Sequence, residues 1–290
     1  MKGYCYESVV TLWKKTYSFY HSMECQKITA KYYVLILLFF GVVYFGFSFV
    51  LLKNSLWDAA FFSISRMTIL LITYKLLREL SPDMQINYYF TMMMTASVLC
   101  FPWELYWWGT LFLLWTSRIL TRSSGEESSN FELVILFLTS FLLFIFSSFI
   151  YPLNLCVALS LDFYFDKSRK KNLVPAILSA ILSCTWFIRI YGITKTELSL
   201  FWIAIVLIAG VLFIFRISIL KHILSKDDKD KRMLQPKRIK SANANLIITL
   251  LLFAIGYGKT SELAHLWIMV LCISLPYWKD IYKIHRNEYN

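Results

Sequence analysis

Charged residues are scarce in this chain: Asp, Glu, Lys and Arg together make up 17% of its 290 residues, whereas 58% are hydrophobic. A soluble domain of that length would need more charged side chains to cover its surface. Many apolar stretches also approach or exceed the roughly 20 residues that cross a bilayer as a helix. The composition therefore excludes an ordinary soluble domain and predicts an all-α, polytopic transmembrane helix bundle.

Motifs of common soluble enzymes are absent as well. We find no P-loop, no GxSxG, no HExxH and no dinucleotide-binding fingerprint. The six cysteines are scattered, without a CxxC pair or a histidine at metal-ligand spacing. This pattern argues against a disulfide framework and against a zinc site. Since no soluble domain is indicated either, any chemistry is expected within the membrane or at its inner surface.

Apolar segments define the predicted organisation of the chain. We predict nine or ten transmembrane helices over 32–279, preceded by an interfacial segment over 1–31 and followed by a cytoplasmic tail over 280–290. The mixed charges of residues 225–245 predict a solvated loop or a surface helix. The ten apolar segments are 32–52, 58–76, 88–101, 104–119, 131–149, 152–166, 173–191, 198–219, 243–257 and 263–278.

Basic residues outnumber acidic residues by 30 to 18, and they gather between particular apolar segments. With the N-terminus inside, 24 of the 30 lie in inner segments and three lie in outer loops. The positive-inside rule requires such an asymmetry, so we expect both termini in the cytoplasm. Because the basic residues flank hydrophobic segments, anionic membrane lipids are the expected partners, and nucleic acid is not.

The stretch LDFYFDKSRKKNLVPA (161–176) places two carboxylates at the inner end of the sixth segment. Asp162 and Asp166 are four residues apart, so a helix would put them on one face, where like charges repel. A bridging Mg²⁺ ion would turn that repulsion into ligation. Alternatively, the stretch is the charged end of a membrane helix, in which Asp162 pairs with Arg169 or a neighbour. The basic residues that would complement a phosphate or diphosphate are Lys167, Arg169 and Lys170.

A second acidic pair lies at the inner end of the second segment, in YKLLRELSPDMQINY (74–88). Glu79 and Asp83 are again four residues apart, with Lys75 and Arg78 beside them. Both acidic pairs are therefore expected on the same side of the membrane.

The 161–176 stretch resembles the second aspartate motif of the UbiA-type intramembrane prenyltransferases. That motif has aspartates four apart with an aromatic between them and a downstream Pro-Ala. The family places one aspartate motif after its second helix and one after its sixth, within a nine-helix fold. The matching residues here are Asp162, Phe165, Asp166, Pro175 and Ala176.

The resemblance implies Mg²⁺-assisted transfer of a polyprenyl group from a polyprenyl diphosphate to an acceptor. It implies that Asp162 and Asp166 act in catalysis and, with Glu79 and Asp83, bind the metal. The family's first motif normally has an Asn-Asp pair, and here only Glu79 and Asp83 stand at that place. The diphosphate is expected to contact Lys167, Arg169, Lys170, Arg66, Lys75 and Arg78. We expect a multi-pass protein of a bacterial or archaeal cytoplasmic membrane.

Arg66 is the most clearly intramembrane charge, because the residues on both sides of it are apolar. A charge at such depth usually faces the bundle interior and has a partner. We expect Arg66 to reach a phosphate or to pair with an acidic residue of another helix. Arg216 lies nearer a span end, where its side chain is expected to extend towards the interface.

Three functions stay open from the sequence. The first is the prenyltransferase that the resemblance implies. The second is a transporter, flippase or lipid-binding protein without chemistry, which would need an inverted repeat or broken helices around a midplane site. The third is a membrane scaffold whose 225–245 loop recruits a cytoplasmic partner.

Overall fold

A computed structural model describes residues 29–83, 85–124, 127–189, 199–220, 223, 225, 227, 232–258 and 260–275. Over these residues the protein is all-helical, with ten α-helices and no β-strand. Most of the predicted interfacial segment and all of the predicted tail lie outside the described residues.

Each of the ten predicted apolar segments forms an α-helix. A π-helical turn, Phe47–Leu51, continues the first of them. The helices are α1 (Thr29–Gly46), α2 (Leu56–Leu80), α3 (Gln85–Leu99), α4 (Trp107–Thr121), α5 (Asn130–Phe146), α6 (Ile150–Phe165), α7 (Leu173–Arg189), α8 (Leu200–Ile219), α9 (Pro236–Tyr257) and α10 (Ala264–Leu275).

Four stretches are long and apolar enough to cross a bilayer: Val34–Leu51 within α1 and its π turn, and helices α2, α8 and α9. The other helices have fewer than 18 residues. Side chains are buried at 56% of positions in the spans of α2 and α9, but at only 22% in α1 and 28% in α8. The first two are therefore central and the last two peripheral. The fold is compatible with a multi-pass membrane protein.

Helix α9 begins earlier than the sequence predicted. Its first residue is Pro236, whereas the predicted segment starts at residue 243. Proline suits the first helical position, because no intrahelical partner is needed for the missing N–H. Residues 236–245, predicted as part of a solvated loop or a surface helix, thus form the first turns of a central helix. Arg238 and Asn243 are buried there.

The position of the Arg216 side chain also differs from the prediction. Its side chain is 3% exposed and does not extend to the interface. It donates hydrogen bonds to the carbonyl oxygen of Leu80 (3.2 Å) and to Oδ1 of Asn243 (3.3 Å). Asn243 also donates to the Leu80 carbonyl, at 3.1 Å. Together they satisfy a carbonyl at the C-terminus of α2, where no helical N–H is left to do so.

Helix α4 is the centre of the bundle. It packs against α2, α6 and α9, and α6 packs in turn against α7. The C-termini of α2, α4 and α6 and the N-terminus of α9 meet at one end of the molecule, where Arg238 of α9 donates to the Leu120 carbonyl and to Asp162. The segments predicted to share the inner side of the membrane therefore lie together, while the orientation of this end stays a prediction.

Gly109 of α4 lies against Tyr151 of α6. A β-carbon at this position would collide with the hydroxyl of Tyr151, which is 1% exposed, and with the ring of Tyr106. We expect Gly109→Ala to destabilise the protein by about 1–3 kcal/mol, as overpacking of a core does. Thermal unfolding in detergent measures this. Gly256→Ala is the matched control, because nothing lies within 4 Å of the added carbon; an equal loss in both variants would contradict the packing.

Candidate functional site

Asp162, in the last turn of α6, is the centre of the charged end. Its carboxylate is fully buried and accepts four hydrogen bonds. Oδ1 accepts from Arg238 Nη1 (2.7 Å) and Arg122 Nε (3.3 Å), and Oδ2 accepts from Arg169 Nη1 and Asn172 Nδ2 (both 2.8 Å). A buried carboxylate is tolerated only when it is paired and hydrogen-bonded in this way. Three guanidinium groups therefore converge on one acid.

Two local features help to hold these arginines. Arg122 follows α4 directly and has a left-handed backbone, with φ of 54°. This conformation ends the helix at Thr121. The guanidinium of Arg238 lies over the ring of Phe165, 5.1 Å from its centroid, a distance at which cation–π attraction acts.

Asp166 ends α6 and is partly exposed. It accepts from Arg122 Nη2 at 2.9 Å and from the Ser168 hydroxyl at 2.6 Å. These bonds, with that of Ser168 the stronger influence, hold the pKa of Asp166 well below its ordinary value. Asp166 therefore stays ionised at neutral and mildly acidic pH and accepts from Nη2 of Arg122, while Asp162 accepts from Nε of the same guanidinium.

The other acidic pair lies next to this cluster. Glu79, 7% exposed, pairs with Arg118 (3.3 Å) and accepts a hydrogen bond from Thr121 (2.8 Å). Asp83 is exposed and accepts from the backbone N–H and the hydroxyl of Ser225. The last turn of α4 thus connects the two predicted clusters. Arg118 and Thr121 contact Glu79, and Arg122, which follows Thr121, contacts Asp162.

A hollow of about 110 Å³ opens beside Asp162. That is several times the ~15 Å³ that one water molecule needs. Thr121, which bonds Glu79, lines it, but neither Glu79 nor Asp162 does. Residues of the 225–235 segment form part of its wall, where the backbone of Asp227 bonds that of Arg232. Among the described residues, the charged members of the lining are Arg122, Arg169, Arg232, Arg238, Glu127 and Asp227.

Several predicted phosphate ligands lie away from this hollow. Lys167 and Lys170 are exposed and do not line it, whereas Lys75 is buried and Arg78 half-buried within α2. Arg66 lies 13 residues before Glu79 in the same helix, which is about 20 Å at the helical rise. It donates to the backbone carbonyl of Trp103 at 2.6 Å, and no acidic side chain of the described residues pairs with it. The structure therefore places Arg66 outside the site.

Sequence reasoning missed Arg122, Asn172 and Arg238. Arg122 and Arg238 are 40 and 76 residues from Asp162 in the chain, so no local spacing connects them. A signal for Arg238 did exist, because Pro236 favours a helix start two residues before it. The alternative in which Asp162 pairs with Arg169 describes the structure correctly.

The predicted Mg²⁺ ligands are engaged with protein donors. Both oxygens of Asp162 accept hydrogen bonds from arginines. Glu79 is ion-paired, and Asp83 accepts hydrogen bonds from Ser225. Among the described residues, no group of three or more His, Cys, Asp and Glu side chains could hold a metal ion. As arranged, these residues do not fit Mg²⁺, because the ion would have to displace guanidinium groups and approach several positive charges. Mg²⁺ binding stays a prediction that requires the ion pairs to open.

Comparison of the chain with protein-family models, with curated proteins and with solved structures found no match. The resemblance to prenyltransferases therefore depends on residues 161–176 and on the order of the helices. The geometry of the charged end is therefore the remaining indication of function.

Proposed function

We propose that this chain is a multi-pass membrane protein that binds the phosphate or diphosphate headgroup of a membrane lipid in the hollow beside Asp162. The observation that carries the proposal is that Arg122, Arg169 and Arg238, which all line that hollow, converge on one buried carboxylate behind it. Arginine offers a planar fork of N–H donors that matches phosphate oxygens in pairs.

The position of the hollow suits a lipid headgroup. It lies at the end of the helix bundle, beyond the apolar parts of α2 and α9, where a headgroup would meet the protein surface. Of the residues that the structure describes, four arginines and two acidic residues line it, so this part of the lining is positive. Asp162 holds three of these arginines in place before a ligand arrives, which reduces the cost of ordering them.

Polyprenyl diphosphate is the ligand that the resemblance to prenyltransferases favours. In the catalytic form of the proposal, the diphosphate is the leaving group and the arginines take up its charge while an acceptor adds to the prenyl carbon. Asp162 and Asp166 are the residues of this chain that match the motif. The scaffold alternative has less support, because residues 236–245 belong to a central helix and cannot serve as an open recruitment loop.

Headgroup binding can be tested with farnesyl diphosphate and farnesol on the purified protein in nanodiscs. We expect the diphosphate to bind at least tenfold more tightly than the alcohol, because only the diphosphate can accept hydrogen bonds from the arginines. Equal affinities would contradict a headgroup site. Release of pyrophosphate when Mg²⁺ and an acceptor lipid extract are added would support transfer, whereas binding without release would favour a lipid-binding or transport function.

A further inference from the structure

We infer that the hollow binds its phosphate or diphosphate through arginine side chains alone, without a divalent cation, and that Asp162 and Asp166 are positioning residues for those arginines. This inference rests on the proposed headgroup function and specifies how the headgroup is recognised. It assigns to the two aspartates a role different from metal ligation.

The oxygens of both aspartates already accept hydrogen bonds from protein donors. Asp162 has no exposed surface, and each of its oxygens already accepts two hydrogen bonds. Asp166 presents one oxygen to Arg122 and the other to Ser168. A cation would have to replace these bonds and then sit among positive charges, whereas an anion would leave them intact.

Arg169 has buried N–H donors that make no hydrogen bond. Arg169 is 3% exposed, and its Nη1 donates to Asp162, but its Nε and Nη2 make no hydrogen bond. The acidic oxygens nearest to those two nitrogens, in Asp166 and Glu127, are 3.5 Å away. Buried donors without a hydrogen-bonded acceptor are costly. Since Arg169 lines the hollow, a phosphate oxygen there could satisfy them.

The other arginines of the hollow use only part of their donor capacity. Both hydrogen bonds of the Arg238 side chain leave from Nη1, and those of Arg122 leave from Nε and Nη2. A guanidinium has five N–H donors, so each retains some for a ligand. Arg232 adds an exposed guanidinium from the 225–235 segment. The remaining donors belong to four side chains around one space, which suits a group with several oxygens such as a phosphate or diphosphate.

The charges of the described residues around the hollow balance without a ligand. Its lining has four arginines and two acidic residues, and Asp162 and Asp166 behind it bring this described set to neutrality. A ligand is therefore held by directed hydrogen bonds and not by net charge. Such bonds to a charged acceptor are stronger than those between neutral groups.

The test is a titration of farnesyl diphosphate in EDTA and in Mg²⁺, with inorganic pyrophosphate as a competitor. We expect dissociation constants in the two buffers to agree within about threefold. Competition by pyrophosphate would indicate that the headgroup alone is recognised. If pyrophosphate does not compete, the prenyl chain is also needed for binding.

Arg169→Gln should weaken binding at least tenfold in both buffers. Lys167→Gln removes an exposed neighbouring charge outside the hollow, and it should leave the affinity within twofold of the wild type.

Asp166→Asn separates positioning from metal ligation. If Asp166 is a positioning residue, the variant loses the same affinity in EDTA and in Mg²⁺. If it is a metal ligand, the variant loses affinity in Mg²⁺ only.

If Arg169→Gln fails to fold, Arg232→Gln is the variant to test, because its exposed side chain has no part in the buried network. A severalfold loss of binding in Arg232→Gln supports the inference, and no change contradicts it. Binding that requires Mg²⁺ would overturn the inference and leave headgroup binding standing. Absence of binding in both buffers would refute the proposed function itself.

Discussion

Asp162→Asn is expected to reduce the free energy of unfolding by about 3–5 kcal/mol, the cost of removing one partner from a buried ion pair. The carboxylate is fully buried and accepts from Arg122, Arg169 and Arg238. Asparagine would remove the negative charge and bring an N–H₂ group towards guanidinium donors. Three positive groups would then lie close together, two of them almost without solvent contact.

Denaturant unfolding in a mild detergent measures this loss. Asp166→Asn is the matched control: it removes the same charge one helical turn later from a side chain that is 30% exposed. We expect a clearly smaller loss in the control, because water can solvate Arg122 when Asp166 is neutral. Equal stability of the wild type and Asp162→Asn would mean that the arginines do not depend on this carboxylate.

Glu79→Leu is expected to have an effect of similar size, about 3–5 kcal/mol. Glu79 and Arg118 are 7% and 2% exposed, and their ion pair joins α2 to α4. Removing the carboxylate alone leaves a buried guanidinium without that partner. The double variant Glu79→Leu/Arg118→Leu removes both charges and buries apolar surface in their place, so it should be more stable than Glu79→Leu.

Unfolding of the four proteins in this double-mutant cycle gives the coupling between Glu79 and Arg118. A favourable coupling of more than about 1 kcal/mol is expected for residues in direct contact within one network. If the two single losses simply add in the double variant, the ion pair does not stabilise the junction of α2 and α4 in the way described here.

The helices were predictable from the sequence because one signal dominates each of them. Apolar runs long enough to approach a membrane span gave all ten segments, and every segment is a helix. The start of α9 was missed because Lys237, Arg238 and Lys240 suggested a solvated loop. In the fold, the N-terminal turns of α9 pack against other helix ends, and Arg238 finds a buried carboxylate there.

The candidate site was predictable only in part. The pair Asp162 and Asp166 stood out because its spacing is local. Arg169 shares that property and was predicted, but Arg122 and Arg238 do not, since they come from the end of α4 and from α9. Without these arginines, two acids four residues apart indicate a cation. With them, the same acids are ion-paired and the remaining donors favour an anion. Tertiary contacts therefore change the chemistry that the local motif suggests.

The most direct measurement of the central claim is a cryo-electron microscopy map of the protein with farnesyl diphosphate and without divalent cations. Our account predicts headgroup density in the hollow, within hydrogen-bonding distance of Arg169 and Arg238, with Asp162 still paired to both arginines. Headgroup density at another part of the bundle would contradict it, as would a cation between Asp162 and the diphosphate with the arginines displaced.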